Sequence, residues 1–388
     1  MRRLLERLRR SDLLWIVAGS LALRLLTAAL AFIVNALFPL ARPEQFTVFP
    51  RTHLFWDTFA RYDSGWYFGI ARYGYEWVEG GRSNVAFFPL YPLLVRQVAL
   101  ALGGGRSRVY MAGILVSWTA FVLAMVLLYR LARLHLPPEQ ARRAVVYAAL
   151  FPFAFFFGVV YPESLFLLLT LAAFYAFQTR RWLAGGIAGA LATATRPNGL
   201  FMVPALALVA RRAARGSGAR LAPVLGVLLT LAGVGAYSLY VYTLSGSFFE
   251  WRHAMQRWQW HPATHPPWTP IARLLWELWT RPYEFLAGGP TAVADLLNGA
   301  AALALALATP FIWIRLGAGY ALLVVVNLAV PLSSGVLEGL GRYCAVLFPF
   351  AIWLATFRSP GLHTALVAVY GMLYLLCLTM FTKLYPLF

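Results

Sequence analysis

The chain has 388 residues, 61% of them hydrophobic and 12% charged, and a mean hydropathy of +0.68. That is about half the charge of an ordinary soluble domain and points to the bilayer, and the concentration of Leu, Ala, Val and Phe excludes disordered and fibrous classes. The formal net charge of +19 sits mostly on arginines at the ends of apolar blocks and forms no stripe with exposed aromatics. It therefore reads as loop and headgroup charge, and no nucleic acid is expected.

The apolar blocks, taken in order, are about 20 residues long, enough to cross a ~30 Å hydrocarbon core. A basic start, Met1 to Arg10, leads into a retained first span, Leu13 to Leu37. Residues 38–85 form a first outer loop, the richest acidic segment of the chain. Within it, Leu54 to Arg72 carries Phe55, Phe59, Tyr62, Trp66 and Ile70 at helical spacing, which predicts one interfacial helix stopped by Gly74. Ala86 to Leu102 opens with two prolines and reads as either a broken half-span or a full crossing. Tyr110 to Leu131 is a clean span. Val145 to Phe177 is interrupted at Tyr161-Pro162-Glu163-Ser164, and Trp182 to Ala210 is interrupted at Thr193 to Gly199. More spans follow near Leu221–Tyr242, Val293–Ile314, Tyr320–Val330, Tyr343–Phe357 and Ala365–Thr382. A second outer loop, residues 244–289, is dense in tryptophan and proline. The expectation is one all-α polytopic domain, residues 1–388, with about 9–12 transmembrane segments.

Arginine placement suggests an orientation. If Trp182 to Ala210 dips in and returns at Arg196-Pro197, Arg180-Arg181 and Arg211-Arg212 share one face with Arg142-Arg143, Arg315 and Arg358. Asp57, Asp63, Glu163, Arg196, His265, Glu338 and Arg342 then gather at the other. Arg106 and Arg108 fit this scheme only if Ala86 to Leu102 crosses fully.

Ionisable groups inside spans are expensive and default to functional candidates, which singles out Glu163 and Arg196; mutual pairing is the plainer alternative. Arg196, next to Pro197 and Asn198, suits a phosphate, which a guanidinium grips with two bonds. Arg342 with Tyr343 offers a second cation, or an ordinary interfacial snorkeller. Asp63 lies one turn before Tyr67, where partial desolvation would raise a carboxylate's pKa and suit it to accept a hydroxyl proton; a solvated loop carboxylate is the plainer alternative. Asp57 faces away from it on an ideal helix. Asp57, Tyr67, Glu76 and His265 complete the candidate substrate contacts. The histidines lack regular ligand spacing, so no metal site is indicated, although a divalent metal stays open. Cys344 and Cys377 lie inside separate spans and suggest no disulfide. The glycines at 185, 186 and 189 read as close helix packing.

Several blocks resemble a membrane mannosyltransferase family, typified by the eukaryotic enzyme adding the second mannose of the glycosylphosphatidylinositol anchor. It belongs among the GT-C-fold glycosyltransferases that use lipid-phosphate sugars. The blocks are Tyr62-Asp63-Ser64-Gly65-Trp66-Tyr67 running on to Gly74-Tyr75; Ala86-Phe87-Phe88-Pro89-Leu90-Tyr91-Pro92-Leu93; Phe151-Pro152 with Tyr161-Pro162-Glu163-Ser164-Leu165-Phe166; and Ala194-Thr195-Arg196-Pro197-Asn198-Gly199-Leu200. Looser matches are Arg257-Trp258-Gln259-Trp260 and Gly341-Arg342-Tyr343. The resemblance implies a catalytic aspartate, matching Asp63, and a polyprenyl-phosphate mannose donor used with inversion. The acceptor would be a lipid or glycan on the extracytoplasmic side. Tyr62 stands where the family has tryptophan. The arginine-rich composition reads as bacterial, which leads to an expected bacterial cytoplasmic (inner) membrane with the site facing the periplasm or extracellular side. The competing class is a transporter or flippase, since broken helices with midplane charges also build substrate sites.

Overall fold

The computed structural model describes residues 2–42, 54–216, 218–258 and 265–387, with side chains from residue 11 onward except those of Leu54 and Asp57. Every regular element among them is a helix.

The first, α1 (Arg2–Leu37), includes the apolar span Ser11–Leu37. The helix expected over 54–72 is instead two, α2 (Leu54–Asp57) and α3 (Ser64–Tyr73). Between them Tyr62 takes a left-handed φ of 50°, and Arg61 turns inward to full burial. The Arg61 guanidinium donates to Thr382 O at 3.2 Å and to Asn35 Oδ1 at 3.2 Å. Those tertiary bonds override the helical pattern, so Asp57 and Asp63 do not share a helix. Gly74, with φ 90°, ends α3 as its sequence predicts.

Next come α4 (Leu90–Ala101) and the full span α5 (Arg106–Ala132). With 12 residues, α4 is about 18 Å long and stops well short of a crossing. Arg106, whose guanidinium lies over the Phe68 ring of α3, therefore stays at the end of the molecule that holds α3. The chain continues through α6 (Pro138–Leu150), a 3-10 turn (Ala154–Gly158) and α7 (Glu163–Gln178). A hairpin follows: α8 (Trp182–Thr193), a 3-10 turn (Pro197–Met202) and α9 (Val203–Ala214). Together α10 (Leu221–Leu229) and α11 (Ala232–Ser245) make one span. The second loop holds α12 (Glu250–Arg257), α13 (Thr269–Thr280) and α14 (Pro282–Ala287). The last third contains α15 (Pro290–Leu316), α16 (Ala318–Leu332), α17 (Leu340–Ala345), α18 (Pro349–Leu354) and α19 (Pro360–Thr382).

Among the described residues five helices are long and apolar enough to cross a membrane, while α4, α7, α8 and α16 are shorter apolar pieces. The expected 9–12 segments thus divide into full spans and helices that stop part-way at polar breaks. Broken backbone at membrane depth must find its hydrogen bonds inside the protein, and here it does. Around the first break, Arg24 donates to Ala154 O, Trp118 to Gly158 O, Ser64 to Val160 O, Ser117 to Tyr161 O and Ser164 to Phe157 O. At the second, Thr193 donates to Thr230 O, Thr195 to Leu191 O and the Leu90 N–H to Ala194 O.

Side-chain bonds fix which helix ends lie together. Tyr129 and Arg142 both bind Asp12, Arg143 reaches Arg358 O, Tyr147 meets His363 and Arg212 reaches Leu316 O. Gln178 and His135 share Tyr320. All of these lie at one, arginine-rich end. At the other, Lys383 bonds Asn35 and α3 packs against α4. The α8–α9 hairpin reverses at Arg196-Pro197, with both its arginine flanks at the arginine-rich end.

Close helix approach accounts for the glycines of α8 and its partners. A Cβ on Gly233 would lie 1.8 Å from Ala190 O, and one on Gly189 would lie 2.6 Å from Thr230 Oγ1. Without side chains the α8 and α11 backbones touch, which holds the Arg196 end of α8 at a fixed depth. Both cysteines are free and buried.

Candidate active site

Asp63 is the residue that begins α3, and its carboxylate is not spent on capping that helix. Its N–H donates to Tyr161 Oη at 3.1 Å, and that hydroxyl donates in turn to Arg61 O at 3.1 Å. With Ser64 on Val160 O, the first-loop turn is zipped to the break before α7. Two polar interruptions far apart in sequence are thereby locked at one depth.

A row of four charges results. Asp63 Oδ2 accepts from Arg342 Nη1 at 2.9 Å. The Arg342 Nε lies 3.4 Å from Glu163 Oε1, and the same oxygen accepts from Arg196. Arg196 Nε donates to Asn198 Oδ1 at 3.2 Å. Two carboxylates and two guanidinium groups alternate, so the row is neutral and its buried charges are paired. Aromatic faces hold both cations: Arg342 lies over Tyr161 and Phe156, and Arg196 over Tyr343 and Phe166. Glu163 is fully buried, Arg196 6% exposed and Asp63 8% exposed.

Burial pushes the Asp63 carboxyl above the usual aspartate range; the Arg342 guanidinium beside it opposes that rise without cancelling it. Tyr67 packs edge-on against Phe87 and Tyr91 and tilts toward Tyr161, lining the wall behind Asp63.

Asp63, Tyr67, Glu163, Arg196, Asn198, Arg342 and Tyr343 thus come together. Glu76 does not join them: it is exposed, and its N–H binds Asn84 Oδ1 within the first outer loop. His265 is exposed too, its N–H bonded to Ser333 O. The Asp57 side chain lies outside the described residues. Sequence reasoning missed the buried polar cluster of Arg61, Asn35 and Lys383 and the buried Arg24, which donates to Tyr374 Oη. The lone lysine of the chain, and a single cation inside an otherwise apolar first span, were the signals that mark them. Among the described residues no group of three or more His, Cys, Asp or Glu is placed to hold a metal ion.

The backbone is similar to the crystal structure of ArnT from Cupriavidus metallidurans bound to undecaprenyl phosphate. The TM-score is 0.54 at 15% identity, over 91% of this chain and 63% of that one. The fold is therefore that of the GT-C membrane glycosyltransferases. The profile of the family described as Mannosyltransferase (PIG-V) matches residues 20–214, a stretch that includes Asp63, Glu163, Arg196 and Asn198. The chain belongs to this family. Curated relatives include GPI alpha-1,6-mannosyltransferase 2 of Cricetulus griseus, 35% identical over 37% of this chain and 30% of that protein. The Mus musculus protein of the same name is 31% identical over 51% and 40%. The chain thus spans well under half the length of these relatives. They are eukaryotic, which corrects the placement in a bacterial cytoplasmic membrane; an arginine-rich composition carries no address.

Proposed function

We propose that the chain is an inverting glycosyltransferase that moves mannose from a polyprenyl-phosphate donor to a hydroxyl of a lipid or glycan acceptor. The observation that carries this reading is the buried Asp63 carboxylate sitting directly on Arg342. Glycosyl transfer from a lipid phosphate needs a base for the acceptor hydroxyl and a cation for the departing phosphate, and this pair supplies one of each. The acceptor oxygen forms its bond to the anomeric carbon from the face opposite the phosphate. Asp63 takes the hydroxyl proton. The bond from the anomeric carbon to the phosphate oxygen breaks with its electron pair, leaving polyprenyl phosphate. Arg342 stabilises the charge gathering on that oxygen, and a site largely closed to water makes such a contact worth most. Before the donor arrives, Arg342 holds Asp63 as its counter-ion; an incoming phosphate draws the guanidinium away and leaves the carboxylate free to act as base.

Family membership supports an enzyme over a transporter, and the undecaprenyl phosphate held by the similar ArnT structure supports a lipid-phosphate donor. The arginine-rich end marks the cytoplasmic side by the positive-inside rule, so the site faces the opposite, non-cytoplasmic side. The test is transfer in reconstituted membranes with polyprenyl-phosphate-mannose against a nucleotide sugar. Mannose incorporation from the lipid donor alone is expected. Movement of labelled lipid across the vesicle wall without sugar transfer would contradict the reading.

A further inference from the structure

Two buried polar atoms border the Arg196 guanidinium without a hydrogen-bond partner among the described residues: Glu163 Oε2 and Asn198 Nδ2. Glu163 is fully buried and Asn198 2% exposed. Arg196 holds the other atom of each planar group, Glu163 Oε1 and Asn198 Oδ1. Because a guanidinium only donates, the Asn198 oxygen must face it and the NH2 must point away. Leaving a carboxylate oxygen and an amide NH2 unbonded in a dry interior is costly, so each of these atoms calls for a hydrogen-bonding partner.

The donor and acceptor inventory narrows that partner. A phosphate suits the Asn198 NH2 but is repelled by Glu163 Oε2. A cation suits Glu163 Oε2 but cannot accept from the NH2. A hydroxyl donates to one and accepts from the other. We infer that Glu163 and Asn198 bind hydroxyl groups of the transferred sugar and so select the donor, with Arg196 as the strut that positions them. The inference rests on the glycosyl-transfer reading and divides the work of the two arginines. Arg342, with a side chain 14% exposed against 7% for Arg196, takes the phosphate. Arg196, held by a carboxylate, an amide and two rings, does not move to it.

Binding in nanodiscs tests this with two probes, polyprenyl phosphate and polyprenyl-phosphate-mannose. Asn198→Ala and Glu163→Gln are expected to weaken the mannosylated lipid about 10- to 100-fold, the scale of losing one or two buried hydrogen bonds. Asn198→Ala is expected to bind the bare lipid as the unmodified protein does; Glu163→Gln also changes the charge beside Arg342, so its bare-lipid binding is not the control. Because Glu163→Gln also removes a buried charge from Arg196, Asn198→Ala carries the decision if the first variant fails to fold. Unchanged binding of the mannosylated lipid by folded Asn198→Ala would overturn the inference, leaving the corner to structural water. Equal loss for both lipids in Asn198→Ala would overturn it in favour of a phosphate site. If the unmodified protein binds neither lipid, the donor reading itself fails and takes this inference with it.

Discussion

At Asp63, the proposed base, two demands meet. A base needs a free carboxylate, while burial favours the protonated acid, and Arg342 is the group that keeps the balance. Because the folded-state pKa is raised, the carboxylate is lost on acidification at a higher pH than in an exposed aspartate. Activity is therefore expected to fall as pH drops, along a limb above the ordinary aspartate range. Arg342→Gln removes the opposing charge and should move that limb to still higher pH while lowering kcat; a pH profile of kcat/KM reads both. A limb that stays in place in the variant would mean Asp63 is not the titrating group. Glu163 carries a different load. Glu163→Ala leaves Arg196 buried without its counter-charge and should cost about 3–5 kcal/mol, read as a lower midpoint of thermal unfolding in detergent.

Among the elements, α17 carries Arg342, the proposed phosphate-binding residue. Its first turn approaches the break before α7 so closely that a Cβ on Gly341 would lie 2.2 Å from the Phe153 ring. The Gly341 N–H is pinned to Asn298 Oδ1 at 2.6 Å. Gly341→Ala should displace α17, and Arg342 with it, at a cost of about 1–3 kcal/mol for overpacking. A fall in kcat larger than the change in KM is expected, and unchanged kinetics would mean that α17 is not held by this contact. The elements also show where sequence reading succeeds. The interruptions at Glu163 and Arg196 stood out because proline and charge inside an apolar run have few cheap explanations. The stop at Gly74 and the close packing of α8 followed from residue type alone. The break between α2 and α3 did not. It depends on Arg61 bonding to Asn35 and Thr382, 26 and 321 residues away in sequence, and no local pattern encodes such partners. Asp63 was legible through family motifs, but its partner Arg342 lies 279 residues on and resembled any interfacial cation.

On the scale of the whole molecule, two apolar cores flank the charged row. One gathers Phe121, Phe156, Phe174 and Phe348; the other gathers Phe88, Tyr91, Tyr110 and Tyr237. Between them the polar site lies at one end of the bundle and the paired arginines of α7–α9 at the other. A two-sided labelling experiment tests that polarity. Both native cysteines are buried, so new ones at exposed Glu76 and Arg215 can be introduced without removing them. Glu76→Cys and Arg215→Cys should react with an impermeant maleimide from opposite faces of sealed vesicles. Reaction of both from one face would contradict the orientation.

Asp63 is the proposed acceptor of the proton released by the attacking hydroxyl. Sugar transfer from polyprenyl-phosphate-mannose by the unmodified protein and by Asp63→Asn, in the same reconstituted membranes, tests it most directly. The substitution keeps the size of the side chain and removes its basicity. A loss of about 10²- to 10⁴-fold in kcat is expected in a variant that remains folded and still binds the donor lipid. Transfer by Asp63→Asn at the unmodified rate would contradict it and move the base elsewhere.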